Sequence, residues 1–424
     1  MNVLVIGSGG REHAIVKALK KSPEIEKIYA LPGNGGIAKD AECVPIGAKD
    51  IDGIVKFAVE KKIGFAVVAP DDPLALGAGD ALEAAGVPAF GPTKAAARIE
   101  ASKVFAKELM AKYGIPTAKC RVFGDAAAAK AYIKTAPLPT VIKADGLALG
   151  KGVIIAKTLD EAEKAISDMM ESKVFGDSGS RVVIEEFLEG PEVSVLAFTD
   201  GKTIKPMVSS MDHKRALDGD QGLNTGGMGT IAPNPYYTEE VARRCMDEIF
   251  LPTIRAMEKE GCPFKGCLYF GLMITRDGPK VIEYNCRFGD PETQVVLPLL
   301  RSDLFTVMQA VRNETLDHCP VEFSTGAACC VVMASRGYHQ KYQTGFPITL
   351  TPDTGDVTTF VAGAKLSENG GLVTSGGRVL GVTATADDLS AAVQKAYAAV
   401  ARTGFENAFY RRDIGQRALS GEGN

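Results

Sequence analysis

Four short apolar runs, at residues 3–6, 27–31, 65–69 and 87–90, punctuate the start of the chain, and the stretches 12–21 and 51–61 between them carry helical spacing. Strands separated by helices cannot turn straight back on one another as hairpins. The alternation therefore predicts a parallel sheet covered by its connecting helices. A phosphorylated or nucleotide-like ligand settles at the carboxyl ends of the strands in such a sheet. The segment GSGGREH, residues 7–13, stands at the end of the first run and opens the first helix. Backbone amides freed by Gly9 and Gly10 at a helix N-terminus suit phosphate, and Arg11 adds positive charge. A dinucleotide fingerprint would want a third glycine near Glu12 and an acid near Leu31, and both are missing. The turn reads as a phosphate site for something smaller than a dinucleotide, or as a merely tight strand-to-helix connection.

Residues 94–112 read as one helix, broken at Tyr113-Gly114-Ile115-Pro116. From 117 to about 196 the pattern becomes short strands around helices at 125–135 and 159–172, with a glycine-rich turn at 146–152 between them. The stretch 212–235 is rich enough in glycine and proline to predict an irregular loop, and long loops are often functional. A helix near 239–260, strands near 268–274 and 280–284, and a helix near 293–312 follow. The last hundred or so residues read as mostly strand, at 327–334, 358–364 and 378–384, with a closing helix at 389–401 and little obvious chemistry.

Three further segments carry chemistry. TVIKADGLALGKGVII, residues 140–155, resembles a Walker loop in composition, but Gly152 stands where Ser or Thr should follow Lys151, and a strand follows rather than a helix. Strand, glycine turn and strand make a flap whose N–H groups can close on phosphates while Lys143 neutralises charge. VVIEEFLEGPEVS, residues 182–194, ends an apolar strand in carboxylates; it could face an adenine and its ribose, and it could equally be solvated. In VIEYNCRFGDPET, residues 281–293, strand alternation puts Glu283, Asn285 and Arg287 on one face. Two oxygens there suit magnesium, which takes one or two protein oxygens plus phosphate oxygens, and a guanidinium beside them suits a transferring phosphoryl group. Asp212-His213-Lys214-Arg215, followed by Asn224-Thr225-Gly226-Gly227-Met228-Gly229, mixes both charges with exposed amides, as a zwitterion and a phosphosugar would require. The four histidines show no metal spacing.

Composition narrows the partners. Over 424 residues the formal net charge is −4, so nothing draws the chain globally to nucleic acid or an anionic membrane. Nine cysteines without a C-x-x-C pair predict reduced thiols rather than a disulfide framework. The opening apolar run is too short for a signal segment and no run of about 18 apolar residues appears. The expectation is a cytoplasmic protein, without nucleic acid or membrane partners.

The ordered set GSGGREH, ALPGNGG, KADGLALGKGV, DHKR, NTGGMG and EYNCRFGDPETQ resembles the phosphoribosylamine–glycine ligases, or glycinamide ribonucleotide synthetases, of the ATP-grasp superfamily, over essentially the whole chain. The resemblance implies an α/β and α+β multidomain fold: a Rossmann-like domain at 1–102, an ATP-grasp domain at 103–325 with a mobile lid at about 117–195, and a small, mostly β domain at 326–424. It implies ATP, glycine and 5-phosphoribosylamine as substrates, Mg2+ or Mn2+ as cofactor, and a monomer or weak homodimer. Matching the family's motifs, Lys103, Lys143 and the flap residues Asp145, Gly146, Gly150, Lys151 and Gly152 fall at phosphate-contacting positions. Glu185, Glu186 and Leu188 fall at the adenine hinge, Glu192 at the ribose, Glu283 and Asn285 at the metal, and Arg287 at the transferring phosphoryl group. Gly9, Gly10, Arg11, Asn34 and Asp71 are matched to the sugar phosphate; Asp212, Arg215, Asn224, Thr225, Gly226, Gly227 and Asp290 to glycine and amine. The chain departs from the family at Asp71, where a glutamate is usual, at Leu149 and Leu223, and in lacking an acid within residues 268–273. Other expectations for such motifs are an ATP-grasp ligase of formate or bicarbonate, and a nucleotide sensor without catalysis.

Overall fold

The computed structural model describes residues 1–147 and 152–421, so the predicted flap residues Gly150 and Lys151 lie outside the described residues. The opening alternation folds into a five-stranded parallel sheet in the order Glu42–Cys43, Lys27–Pro32, Asn2–Gly7, Phe65–Val68, Ala89–Phe90. From Asn2–Gly7 the chain steps outward on one side, then returns to build the other. The crevice opened by that reversal lies at the end of Asn2–Gly7, where Gly9 and Gly10 start the helix Gly10–Leu19.

The expected single helix over 94–112 is two helices, Lys94–Ala101 and Lys103–Tyr113, which break at Ser102 in extended backbone (φ −134°, ψ 110°). Capping explains the break. The Ser102 hydroxyl accepts from Phe105 N (3.1 Å) and donates to Asp145 Oδ1 (2.8 Å), which also accepts from Val104 N (2.9 Å). After the break comes a four-stranded antiparallel sheet, ordered Cys120–Phe123, Val182–Glu186, Thr140–Ala144, Val153–Ala156. Helices Ala126–Ile133 and Leu159–Ile166 cover it, enclosing a separate small core of Ile133, Ile142, Ile166 and Ile184. This unit spans the residues predicted to form the lid.

A second antiparallel sheet, ordered Ile204–Pro206, Glu192–Thr199, Gly266–Thr275, Gly278–Asn285, shares a core with the parallel sheet. Phe90, Phe198 and Phe288 pack ring to ring there, with centroids 6.0–6.5 Å apart. The expected helix over 293–312 is Thr293–Leu299 and Leu304–Arg312, because Asp303 Oδ1 accepts from Phe305 N and Thr306 N and starts a new helix. The stretch 212–235 is not irregular. It supplies the strands Met211–Asp212, Arg215–Leu217, Gln221–Asn224 and Gly229–Ala232. Two of these pair with the carboxyl-terminal sheet, whose order is Met211–Asp212, Gly229–Ala232, Ala327–Ser335, Arg378–Ala386, Val357–Val361. Local breakers are overruled because Ala327–Ser335 offers a fully buried strand to pair with.

Asn34 ties the first and last sheets together. Its amide nitrogen donates to Ser8 O and Val361 O (both 2.8 Å), and its oxygen accepts from Gly36 N (2.8 Å) and Ile37 N (2.9 Å). At roughly 1 kcal/mol net per bond, Asn34→Ala is expected to lower unfolding free energy by about 2–4 kcal/mol. Urea denaturation without ligands checks this; a change under about 0.5 kcal/mol, the size of an ordinary surface substitution, would show that these bonds carry no load.

Candidate active site

The strand Gly278–Asn285 and the four residues after it set the site. Tyr284, Cys286 and Phe288 point into the core, so Glu283, Asn285 and Arg287 share the other, half-exposed face. The pairing with Gly266–Thr275 slips by one residue at Gly271, leaving Ile282 bulged. The freed Ile282 carbonyl accepts from Lys143 Nζ at 3.0 Å. Gly271 makes room for Glu283, since a Cβ there would lie 3.1 Å from the Glu283 Cγ.

Glu283 collects cations. Burial alone would push its carboxyl up, but Lys214, Lys143, Lys103 and Arg287 together hold it below the usual carboxylate range. Lys214 Nζ is 4.0 Å from it and 3.2 Å from Glu192 Oε2; Glu192 is the main reason Lys214 is held well above its ordinary value. Lys103 Nζ donates to Gly146 O (3.1 Å), and burial lowers its pKa. Four cations therefore act on one half-buried carboxylate, an arrangement suited to a polyphosphate. The ionised Glu283 and the neighbouring Asn285 oxygen, which accepts only a long 3.3 Å bond from Arg287, form a hard oxygen pair that fits a divalent cation completed by nucleotide oxygens. Among the described residues no group of three or more His, Cys, Asp or Glu side chains could hold a metal.

Lys143 and Glu185 are spent on each other. Glu185 lies between Lys143 Nζ (3.0 Å) and Lys107 Nζ (3.1 Å), all three side chains about 95% buried. Lys107 also donates to Thr117 Oγ1 (2.7 Å), where the lid begins. The Glu185 side chain, matched to the adenine hinge, is therefore held between two lysines inside the protein. The next residue, Glu186, accepts from Lys119 N at 3.0 Å, and Leu188 lies half-buried beyond the strand. Asp145 is likewise internal: besides capping Lys103–Tyr113, it accepts from Arg181 NH2 and Nε (2.6 and 3.0 Å). Gly146 lets the turn at Ser178 approach, as a Cβ would meet the Ser178 Oγ.

The hairpin after Asp212 closes the other side. Lys214 O accepts from Thr225 N (2.7 Å) and Thr225 Oγ1 (2.9 Å), while Arg215 NH1 donates to Gly222 O (2.8 Å) and Asn224 pairs with Arg215. Gly227 (φ +110°) must be glycine, because a Cβ would lie 2.5 Å from Pro291 Cδ and 2.6 Å from Asp212 Oδ1. Asp212 is raised well above the usual carboxylate value by burial and by neighbouring Glu292, and its Oδ1 has no hydrogen-bond partner among the described residues. Arg378 reaches in from the carboxyl-terminal sheet. It donates to Gly226 O (2.5 Å) and Asp290 O (2.9 Å) and lies 3.5 Å from Asp290 Oδ2. Asp290 also accepts from Gln294 Nε2 (2.8 Å), and it sits opposite Gly9. Burial would raise it, yet Arg378, Arg11 and Arg287 hold it low.

Several side chains matched to ligand are engaged elsewhere. The Gly9 amide donates to Glu12 Oε2 (2.6 Å), and Arg11 donates to Glu12 Oε1 (2.7 Å) and Phe288 O (3.1 Å). Asn34 is fully bonded to backbone, as described above. Asp71 starts the helix Asp71–Leu76 and acts electrostatically on Arg287 and Glu100. Other groups at the site were not singled out from sequence. Lys107 had a signal, since it lies one helical turn after Lys103. Glu292, buried and accepting from Tyr269 OH at 3.1 Å, lies within the GDPETQ motif; Glu100 and Arg378 had no local signal, and the last hundred residues, expected to hold little chemistry, supply Arg378.

Comparison with known proteins gives the same outline. Family models for phosphoribosylglycinamide synthetase match the N domain at residues 1–100, the ATP-grasp (A) domain at 101–293 and the C domain at 328–417. The chain is 49% identical over 422 residues to the phosphoribosylamine–glycine ligase of Rhizobium meliloti (strain 1021), covering 100% of both. The crystal structure of phosphoribosylamine–glycine ligase from Thermotoga maritima superposes with a TM-score of 0.87 at 35% identity, over 98% of this chain and 100% of that one. The biotin carboxylase domain of Hydrogenobacter thermophilus 2-oxoglutarate carboxylase, at 16% identity and a TM-score of 0.74 over 96% of this chain and 91% of that one, shares the fold.

His213 holds the hairpin to the last residues: its Nε2 accepts from Gly415 N (3.2 Å), so Nδ1 carries the proton toward Gly229 O (3.1 Å). Only the neutral ring satisfies both, and burial, then Arg411, lowers its pKa to about 4. A histidine depressed in the folded state adds stability above its unfolded value and loses it as pH falls toward the folded one. Between about pH 6.5 and 4 the wild type should therefore lose roughly 3 kcal/mol that His213→Gln does not. Parallel pH–stability curves for the two proteins would contradict this.

Proposed function

The chain belongs to the phosphoribosylglycinamide synthetase family, and on that premise we propose how its residues carry out the reaction of an ADP-forming carbon–nitrogen ligase of purine biosynthesis. ATP, glycine and 5-phospho-β-D-ribosylamine give glycinamide ribonucleotide, ADP and phosphate. The convergence of Lys103, Lys143, Lys214 and Arg287 on Glu283 is the observation that carries the assignment.

In this reading Lys103, Lys143 and the flap from Asp145 to Gly152, with Gly146, Gly150 and Lys151, surround the ATP phosphates. Glu186 and Leu188 present backbone to the adenine, Glu185 steadies Lys143 from behind, and Glu192 takes the ribose. Glu283 and Asn285 would hold Mg2+ or Mn2+, which supplies charge neutralisation at the β- and γ-phosphates. Arg287 faces the γ-phosphoryl group. A glycine carboxylate oxygen attacks the γ-phosphorus, ADP leaves, and glycyl phosphate forms. The ribosylamine nitrogen then attacks the carbonyl carbon, loses a proton and expels phosphate. Water would hydrolyse the acyl phosphate, so the lid's closure over it has a chemical purpose.

Asp212, Arg215, Asn224, Thr225, Gly226, Gly227 and Asp290 arrange glycine and amine where the three domains meet. Because Glu12 already holds the Gly9 amide, Gly10 carries the sugar-phosphate contact, while Arg11, Asn34 and Asp71 shape the crevice. The same reading has the protein cytoplasmic, as a monomer or weak homodimer.

ADP release should require a divalent cation, phosphoribosylamine generated in place, and glycine; formate in place of glycine should give none. Release with formate would mark a different carboxylate ligase, and ATP binding without stimulated release a sensor. Arg287→Ala should lower kcat by about a hundred-fold or more with ATP affinity changed only a few-fold, and unchanged turnover would remove the role given to it.

A further inference from the structure

Arg287 is not free to choose its direction. Its NH2 lies 2.9 Å from Glu100 Oε1 and donates to Asn285 Oδ1 (3.3 Å), and its NH1 donates to Phe288 O (3.3 Å). Its Nε is buried and has no acceptor among the described residues. Two of these contacts are long, made to groups within two residues along the chain, and would follow the strand wherever it went. The contact to Glu100 differs in kind. It is short and charge-paired, and its carboxylate is 93% buried.

Glu100 is itself held in place. It lies in the helix Lys94–Ala101, two residues before the break at Ser102, and its second oxygen accepts from Cys286 N at 2.8 Å. One carboxylate thus clamps two successive residues of the segment that follows Gly278–Asn285: the backbone of 286 and the guanidinium of 287. Cys286 N lies beyond the last ladder pair of the strand, Tyr269 with Asn285, so the carboxylate replaces the sheet partner that ends there. It comes from the last residue matched by the N-domain model, across the junction from the ATP-grasp residues it orients.

We propose that Glu100 is a positioning residue for phosphoryl transfer, fixing the direction in which the Arg287 guanidinium meets the γ-phosphoryl oxygens. The inference rests on the role given to Arg287 above. Displacing a reacting group by about 1 Å costs on the order of a hundred-fold in rate, so a carboxylate that touches no substrate can still govern turnover. Its effect must pass through the arginine, and that separates positioning from general support of the fold.

The experiment is a double-mutant cycle on the full chain with Glu100→Gln, Arg287→Ala and both together, reading kcat, the KM for ATP and the thermal midpoint. Glutamine keeps an acceptor for Cys286 N but removes the negative charge that faces Arg287. The expected result is a roughly ten- to hundred-fold lower kcat for Glu100→Gln with KM for ATP within about two-fold, and a double variant no slower than Arg287→Ala alone. Losses that multiply in the double variant, or wild-type turnover in Glu100→Gln beside an impaired Arg287→Ala, overturn the proposal. Full activity in Arg287→Ala would instead overturn the reading it rests on. If the glutamine variant does not fold, the same cycle is run with Glu100→Asp, which keeps the charge but withdraws it by one methylene, and the same non-additivity decides.

Discussion

Four cations gathered around one half-buried carboxylate is the arrangement on which the rest of the molecule depends. Lys103, Lys143, Lys214 and Arg287 approach Glu283 from four directions: the helix after Ser102, the lid sheet, the hairpin after Asp212 and the end of Glu283's own strand. Like charges brought this close repel, and each must be restrained by something else. Glu185 restrains Lys143, Glu192 restrains Lys214, the Gly146 carbonyl takes Lys103, and Glu100 takes Arg287. The fold can thus be read as the set of partners needed to hold four cations beside one carboxylate.

That requirement accounts for contacts that would otherwise look incidental. The bulge at Ile282 turns a carbonyl toward Lys143, joining the predicted lid and the central sheet at the strand that carries Glu283. Lys107 reaches both Glu185 and Thr117, and Thr117 Oγ1 donates to Val281 O (2.7 Å), so the root of the lid is bonded to the strand that carries Glu283. On the opposite side Arg378 fastens Gly226 to Asp290, and Arg411 fastens Arg215 O and Asp220 to the chain's last strands. The proposed nucleotide and substrate residues therefore come from sheets that do not share strands, yet meet through buried charged hydrogen bonds.

Elements with a strong internal period were legible in the sequence. The parallel sheet follows from alternating strand and helix, and the common face of Glu283, Asn285 and Arg287 follows from a period of two. Capping breaks were not, because Ser102 and Asp303 each end a helical pattern that apolar spacing alone would continue. The stretch 212–235 looked irregular since its strands are short and glycine-broken; their partner, Ala327–Ser335, lies far along the chain. Glu100 and Arg378 were invisible for the same reason. Conversely Asp145 and Asn34, matched to ligand by the family resemblance, and Arg11, read as a phosphate partner, have side chains bonded within the protein.

The proposed reaction has a carboxylate accept a phosphoryl group beside Glu283 and its four cations. Oxygen-18 transfer from the glycine carboxylate tests that most directly. In a turnover with doubly labelled glycine and phosphoribosylamine generated in place, one labelled oxygen should appear in the released phosphate and one should remain in the glycinamide product. Phosphate free of label, with amide still formed, would mean that the carboxylate is never phosphorylated and that the cations around Glu283 serve some other purpose.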